Sequence, residues 1–226
     1  VSIENFNVSQ STGAVGGFIG YVHSLQNVIT VKNSSLRGGI LNLASGNAGG
    51  LIGQILGNSV TAAYVRFIDF SDVLVGLEIN SNTTKPGAYF GTVLDSSAGY
   101  STYPLYGYKI KNVVSTISKT TGSQAIDGFI GVPNTISSQL VTVSSFTNNY
   151  WNETTSSDTT SQAFGSLTLT DSMLGARTTL ELSSNPPDLT TYVDWDFSTI
   201  WKWDSQYIYP IPIPPVAIPN GAPSWW

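Results

Sequence analysis

Four short glycine-built segments constrain this chain more than any other feature. VGGFIGYV at 15–22, AGGLIGQI at 48–55, PGAYFGTV at 86–93 and IDGFIGVP at 126–133 share one pattern: glycine or alanine, an aromatic residue or leucine, an apolar residue, then a closing glycine. The closing glycines Gly20, Gly53, Gly91 and Gly131 are 33, 38 and 40 residues apart. Self-similarity at such a period marks one supersecondary unit per copy, which cannot bury its inner face alone and must stack on its neighbours. Glycine within a strand-like segment marks a tight corner or a close approach of backbone to backbone.

The intervening runs have strand character: IENFNVSQ, QNVITVKNSSL, SVTAAYVRFIDFSDVLVGLEI, YGYKIKNVVSTISK and QLVTVSSFTNNYW. Parts alternate with period 2 and parts are apolar on both faces. Each run ends in turn chemistry such as Asn-Ser-Ser or Asn-Thr-Thr-Lys-Pro. Ser, Thr and Asn number 30, 24 and 16 of 226 residues, a composition that favours strands and turns over helices. The expectation is an all-β fold, either a repeat-built β-solenoid (β-helix-like) or an elongated β-sandwich, closed by an aromatic C-terminal cap and followed by an extended Pro-rich arm.

Three stretches follow: a repeat array over 1–147, a closing segment over 148–212 and an arm over 213–226. In the second, Thr170 or Asp171 can cap a short helical turn, and 183–192 reads as a turn-like linker. Trp195, Phe197, Trp201, Trp203, Tyr207 and Tyr209 then crowd into fifteen positions, a density suited to shielding the last repeat from water. The final YIYPIPIPPVAIPNGAPSWW is apolar, but its six prolines forbid a continuous membrane helix. The start, VSIENFNVSQ, has neither a basic n-region nor an apolar h-region, the pattern of a processed chain or a fragment.

The GGFIG and GGLIG cores resemble the GLUG repeat of bacterial and archaeal surface proteins, adhesins and large secreted peptidases. YWNETTSS, SLTLTDSM and WDFSTIWKWDSQYIYPI resemble the segment that commonly closes such arrays. The third copy departs with Gly-Ala-Tyr-Phe-Gly, the fourth with Asp127 before a single glycine, and Asn152 stands where the closing segment usually has Asp. The repeat is non-catalytic in that family, so the resemblance implies a surface or adhesive module and transfers no active-site residue.

The formal charge of −5, with only 10% charged residues, argues against nucleic acid as a partner. Cysteine is absent, so no disulfide or thiolate metal site exists, and the single histidine, His23, reads as surface. Asp69, Asp72, Asp127, Asp194 and Asp196 are the candidate acid/base carboxylates, since sugar hydrolysis needs two of them. On a strand, Asp194 and Asp196 would share a face beside the tryptophans. A groove of Asp194, Trp195, Asp196, Trp201 and Trp203 is therefore the rival expectation: a carbohydrate-binding or carbohydrate-cleaving β-helix, with a stalk cut from a larger secreted enzyme as a further one. No cofactor or metal is expected.

Asn7, Asn33, Asn82 and Asn152 head Asn-x-Ser/Thr sequons and are candidate glycosylation sites on an exported chain. The arm alternates Pro with Ile or Val, is pre-extended, and costs little entropy to order. Ile211, Ile213, Val216, Ile218, Trp225 and Trp226 are therefore expected to dock on a neighbouring subunit, with folding back along its own chain as the alternative. The leading expectation is a non-catalytic extracellular or cell-surface protein, an adhesin or filament subunit that self-associates into a homopolymer or array. Glycans are a second class of partner, and no membrane insertion is expected.

Overall fold

The computed structural model describes residues 1–23, 29–56, 66–81, 86–94, 106–118, 128, 130–133, 145–156, 163–164, 167–168, 173–183, 190–204 and 208–213. In chain order the strands are β1 (Ser2–Glu4), β2 (Asn7–Gly16), β3 (Ile19–His23), β4 (Ile29–Gly49), β5 (Ile52–Leu56), β6 (Arg66–Ser81), β7 (Phe90–Leu94), β8 (Tyr106–Ser115), β9 (Ile130–Pro133), β10 (Ser145–Thr147) and β11 (Asn149–Asn152). After helix α1 (Glu153–Ser156) come β12 (Ala163–Phe164), β13 (Leu167–Thr168), β14 (Leu174–Arg177), helix α2 (Thr179–Leu182), β15 (Trp201–Lys202) and β16 (Ile211–Pro212).

The main sheet has eight strands in the order β1-β4-β6-β8-β11-β14, with β2 also on β4 and β10 also on β8. A second sheet has four, β3-β5-β7-β9. Every pairing in both is parallel. Among the described residues, only the two small ribbons β12-β13 and β15-β16 are antiparallel.

This corrects the expected β-solenoid, β-helix or elongated β-sandwich. A sandwich of this composition would be built from antiparallel hairpins, whereas here each segment runs in the same direction as the one it pairs with. A uniform coil needs a constant repeat, yet partners lie 33 residues apart at Asn7 and Ile40, 40 apart at Asp69 and Lys109, and 25 apart at Asn149 and Leu174. In the main sheet strand length varies from 21 residues in β4 to 3 in β1 and β10.

The glycine segments join the two sheets. β2 leads through Gly17 and Phe18 into β3, and β4 through Gly50 and Leu51 into β5. The turns are bonded to one another, with Gly17 N donating to Gly50 O at 3.1 Å and Leu51 N to Tyr89 O at 2.8 Å. Backbones meet so closely here that a Cβ on Gly49 would lie 2.1 Å from Ile52 O, and one on Gly87 1.9 Å from Phe90 O. No side chain fits, which is why glycine recurs at this spacing.

Between the sheets lies one core, with Leu36, Leu41, Ile52, Phe70, Phe90, Tyr108, Ile110 and Ile117 among its members. Buried polar groups tie its layers together. Asn149, fully buried, accepts from Val113 N (3.1 Å) and donates to Ile110 O (2.8 Å) and Met173 O (2.9 Å). The Tyr89 hydroxyl lies 2.8 and 2.9 Å from the carbonyl oxygens of Val113 and Tyr150.

Within the closing segment β11 and β14 add the last strands to the main sheet, while Tyr192, Trp195 and Trp201 lie on that sheet's outer face. Leu74, Val114 and Tyr150 stand opposite one another on β6, β8 and β11. They pack into a second cluster with Leu182, Tyr192, Trp195, Trp201 and Ile211. The physical reason is that these three outward positions are apolar and need burial. The described helical turn here is α2, capped by Thr178 through a capping box with Glu181; Thr170 and Asp171 lie outside the described residues.

At the foot of the arm the chain pairs with itself. Ile211 is 4% exposed and pairs antiparallel with Lys202, while Ile213 N donates to Ile200 O at 2.6 Å. The chain folds back on itself there, so Ile211 and Ile213 are engaged within their own chain. Val216, Ile218, Trp225 and Trp226 lie outside the described residues.

Candidate functional site

The expected carboxylates do not converge. Asp69 forms an ion pair with Lys32 at 3.4 Å. Asp72 has a left-handed backbone (φ 57°) and belongs to a corner column with Asn33, Asn112 and Asn148, whose φ values are 46°, 52° and 53°. Short Asn and Asp side chains tolerate this conformation, so they turn the strand at the same point in successive layers. Asn112 Nδ2 donates to Asp72 Oδ1 at 2.9 Å and Trp201 Nε1 to the same oxygen at 3.3 Å. Asp127 lies outside the described residues.

Asp194 and Asp196 sit on a turn, not a strand. Asp194 is left-handed (φ 59°), and Asp196 accepts from the backbone N–H groups of Ser198 (2.8 Å) and Thr199 (2.9 Å) and from both hydroxyls. Those bonds, led by the Ser198 hydroxyl and then the Thr199 hydroxyl, hold its carboxyl well below the usual carboxylate range. Trp195 and Trp201 are 6% and 0% exposed, their rings stacked 4.2 Å apart, with Trp195 Nε1 donating to Asn148 O. The groove expected around Asp194, Trp195, Asp196, Trp201 and Trp203 therefore does not form: its tryptophan pair faces the sheet, and Trp203 packs against the same cluster.

Of the sequons, Asn7 and Asn33 are exposed and Asn82 lies outside the described residues. Asn152 is 1% exposed, and its Nδ2 donates to Thr179 Oγ1 and Tyr209 OH, both at 2.9 Å. The nitrogen that would carry a glycan is thus consumed inside the fold. His23 ends β3.

A different part of the main sheet is concave. Beyond Gly38 and Gly76 the strands alternate cleanly, with Leu41, Leu43, Leu77 and Ile79 inward and Ile40, Asn42, Glu78 and Asn80 outward. Three depressions lie on this outer face. One of about 290 Å³ runs between Arg37, Leu74, Gly76 and Thr116 and a wall made by Ile208 and Tyr209. Next to it, sharing Gly38, Gly76 and Thr116, is one of about 340 Å³ bordered by Ile40, Glu78 and Ser118. A third, of about 380 Å³, continues past Asn42 and Asn80 to Ser9, Gln10 and Ala44.

The outward amides form a bonded row across the layers. Asn80 Nδ2 donates to Asn42 Oδ1 (3.1 Å) and Glu78 Oε1 (2.8 Å), and Asn42 Nδ2 donates to Asn7 Oδ1 (3.0 Å). At the closed end, Arg37 donates to Glu4 and to Ser2 Oγ. Burial pushes the Tyr209 hydroxyl above its ordinary pKa, opposed by its bonds to Asn152 and Thr179. The sequence reading missed this face because it sought carboxylate pairs and tryptophans. The signal was the alternation in GILNLA and GLEIN, which points Asn42, Glu78 and Asn80 out together.

Among the described residues no group of three or more His, Cys, Asp or Glu gathers as a metal site would require, and no helix is long and apolar enough to cross a membrane. No family model, curated protein or solved structure matches the chain.

Proposed function

We propose that this chain is a non-catalytic structural protein of the cell exterior, an adhesin or filament subunit that associates with copies of itself, in keeping with the GLUG-like pattern of its glycine segments. The supporting observation is one side of both sheets. β1, β2 and β3 each have a hydrogen-bonded strand neighbour on one side only among the described residues. Residues 1–23 carry a single charged side chain, Glu4, and no Lys, Arg or Pro, while Val1, Ile3 and Val8 are exposed. Edges that must stay single are blunted by lysine, proline or a bulge, and this one carries neither lysine nor proline.

A second copy stacked head to tail would extend both parallel sheets without reversing chain direction. Such a contact is heterologous and does not close on itself, so repetition gives a fibre. Negative-stain microscopy and sedimentation velocity test this. Wild type should form filaments or a concentration-dependent series of oligomers. Ile3→Lys with Val8→Lys should stay monomeric with an unchanged far-UV spectrum. A wild-type chain that remains monomeric at high concentration would refute the reading.

A further inference from the structure

The geometry points to a binding site for a neutral polysaccharide chain in the trough on the outer face of the main sheet, running from the Tyr209 wall past Glu78 to Asn42 and Asn80. Two of the depressions share Gly38, Gly76 and Thr116, and the third follows at the next outward positions of the same strands, Asn42 and Asn80, so the row from Arg37 to Ala44 spans about 23 Å at roughly 3.3 Å per strand residue. That length suits a chain of several sugar units and exceeds what a single small molecule needs.

The class of ligand follows from what the trough offers. Backbone donors and acceptors on a sheet face are committed to the strand ladders, so an extended peptide has nothing to pair with. Recognition falls to the side chains: the amides of Asn42 and Asn80, the carboxylate of Glu78 and the hydroxyl of Thr116. Planar amides and carboxylates, each with two polar atoms in a fixed geometry, match the paired hydroxyls of a pyranose ring. Ile40 and the flank of Tyr209 supply apolar surface for the C–H faces of the same rings, the mixture typical of sites that orient an uncharged ligand.

Charge narrows the choice. The trough's cation, Arg37, is paired with Glu4, and its carboxylate, Glu78, accepts from Asn80. No row of lysine or arginine lines it, as a polyanion would require. The floor at Gly76 is narrow: a Cβ there would lie 3.2 Å from Thr116 Oγ1, a side-chain atom that must shift slightly to admit it, and the backbone is not left-handed, so a larger residue occupies the floor of the trough. The far end of the trough borders β2, part of the edge invoked for self-association, whereas Gly76 and Glu78, the positions varied below, lie on β6, inside the sheet.

Affinity electrophoresis of the full chain tests the inference, in native gels cast with a starch-type α-glucan, a β-1,3-glucan, xylan or mannan, and with alginate as the acidic control. Wild type should be retarded in at least one neutral gel and not by alginate. Gly76→Val, which fills the floor, and Glu78→Gln, which keeps shape but removes charge, should each raise the apparent Kd tenfold or more. Lys111→Ala, on an exposed position of another part of the sheet, should leave it unchanged. A thermal melt of each variant separates lost binding from lost folding, and Glu78→Gln should melt with wild type. Migration unaffected by every neutral polymer, retardation by alginate alone, or retardation that both trough variants retain would overturn the assignment.

Discussion

Two halves of one strand face behave oppositely. On β6, Leu74 points outward and is buried beneath Tyr192, Trp195, Trp201 and Ile211, whereas four residues on Glu78 points outward and is only partly covered. Gly76 lies between them. The inward positions Val73, Val75, Leu77 and Ile79 are apolar throughout, so the difference belongs to the outer face alone. An outward residue is apolar here where the chain supplies its own cover and polar where it does not, and the polar half is where an outside molecule can be read.

The contrast can be broken most forcefully from the covered half. Trp201→Ala removes a fully buried ring stacked on Trp195 and leaves Asp72 without one of its donors. It should cost about 3–5 kcal/mol in urea denaturation, as large core truncations do. Leu74→Ala removes the sheet's own contribution to that contact and should cost about 2–4 kcal/mol by the same measurement. Asn149→Ala, which strands Val113 N and two carbonyls in the core, should cost about 1–3 kcal/mol. In the open half, Asn80→Ala or Glu78→Gln should shift stability by no more than about 0.5 kcal/mol. Equal losses from Leu74→Ala and Asn80→Ala would erase the distinction between the halves.

The covered half shares the pH dependence with the core, where burial raises the Tyr89 hydroxyl well above its ordinary value. Burial raises the Tyr192 hydroxyl far above its ordinary value, and Tyr209 is raised by the same cause. The folded state therefore favours the neutral phenols. That stabilisation is complete below the unfolded phenol pKa of about 10 and is lost as pH rises beyond it. Asp196 has the opposite sign: its depressed pKa contributes stability above the normal carboxylate range, lost only as pH falls through strongly acidic values. Near-UV circular dichroism should show the tryptophan signal collapsing in alkali and holding in mild acid.

Much of the framework was legible in the sequence. The glycine spacing placed Gly20, Gly53, Gly91 and Gly131 at corresponding points of the second sheet, and at Gly53 and Gly91 a Cβ would come within 2.5 and 2.3 Å of neighbouring backbone. The parallel, unequal stacking was not legible, since strand direction depends on partners 25 to 40 residues away. Asp194-Trp195-Asp196 alternates like a strand, but Asp194 turns left-handed and Asp196 caps the next turn, so the apparent shared face dissolves. Asn152 satisfies the sequon rule, yet nothing local reveals that Thr179 and Tyr209 claim its amide. The trough was visible as alternation in β4 and β6, but not that Ile208 and Tyr209 would come back to wall one end of it.

The pairing distances have a mechanical corollary. Neighbouring strands β2, β4, β6 and β8 are separated by 33 to 40 residues, so each closes a loop of nearly the same entropy, and no layer is much harder to form than another. A tether pulling on the first residues would meet one ladder at a time and peel layers off in steps of similar force until it reached Leu74. There the load would pass to the interlocked indoles, so the molecule should yield softly at its start and resist abruptly halfway along.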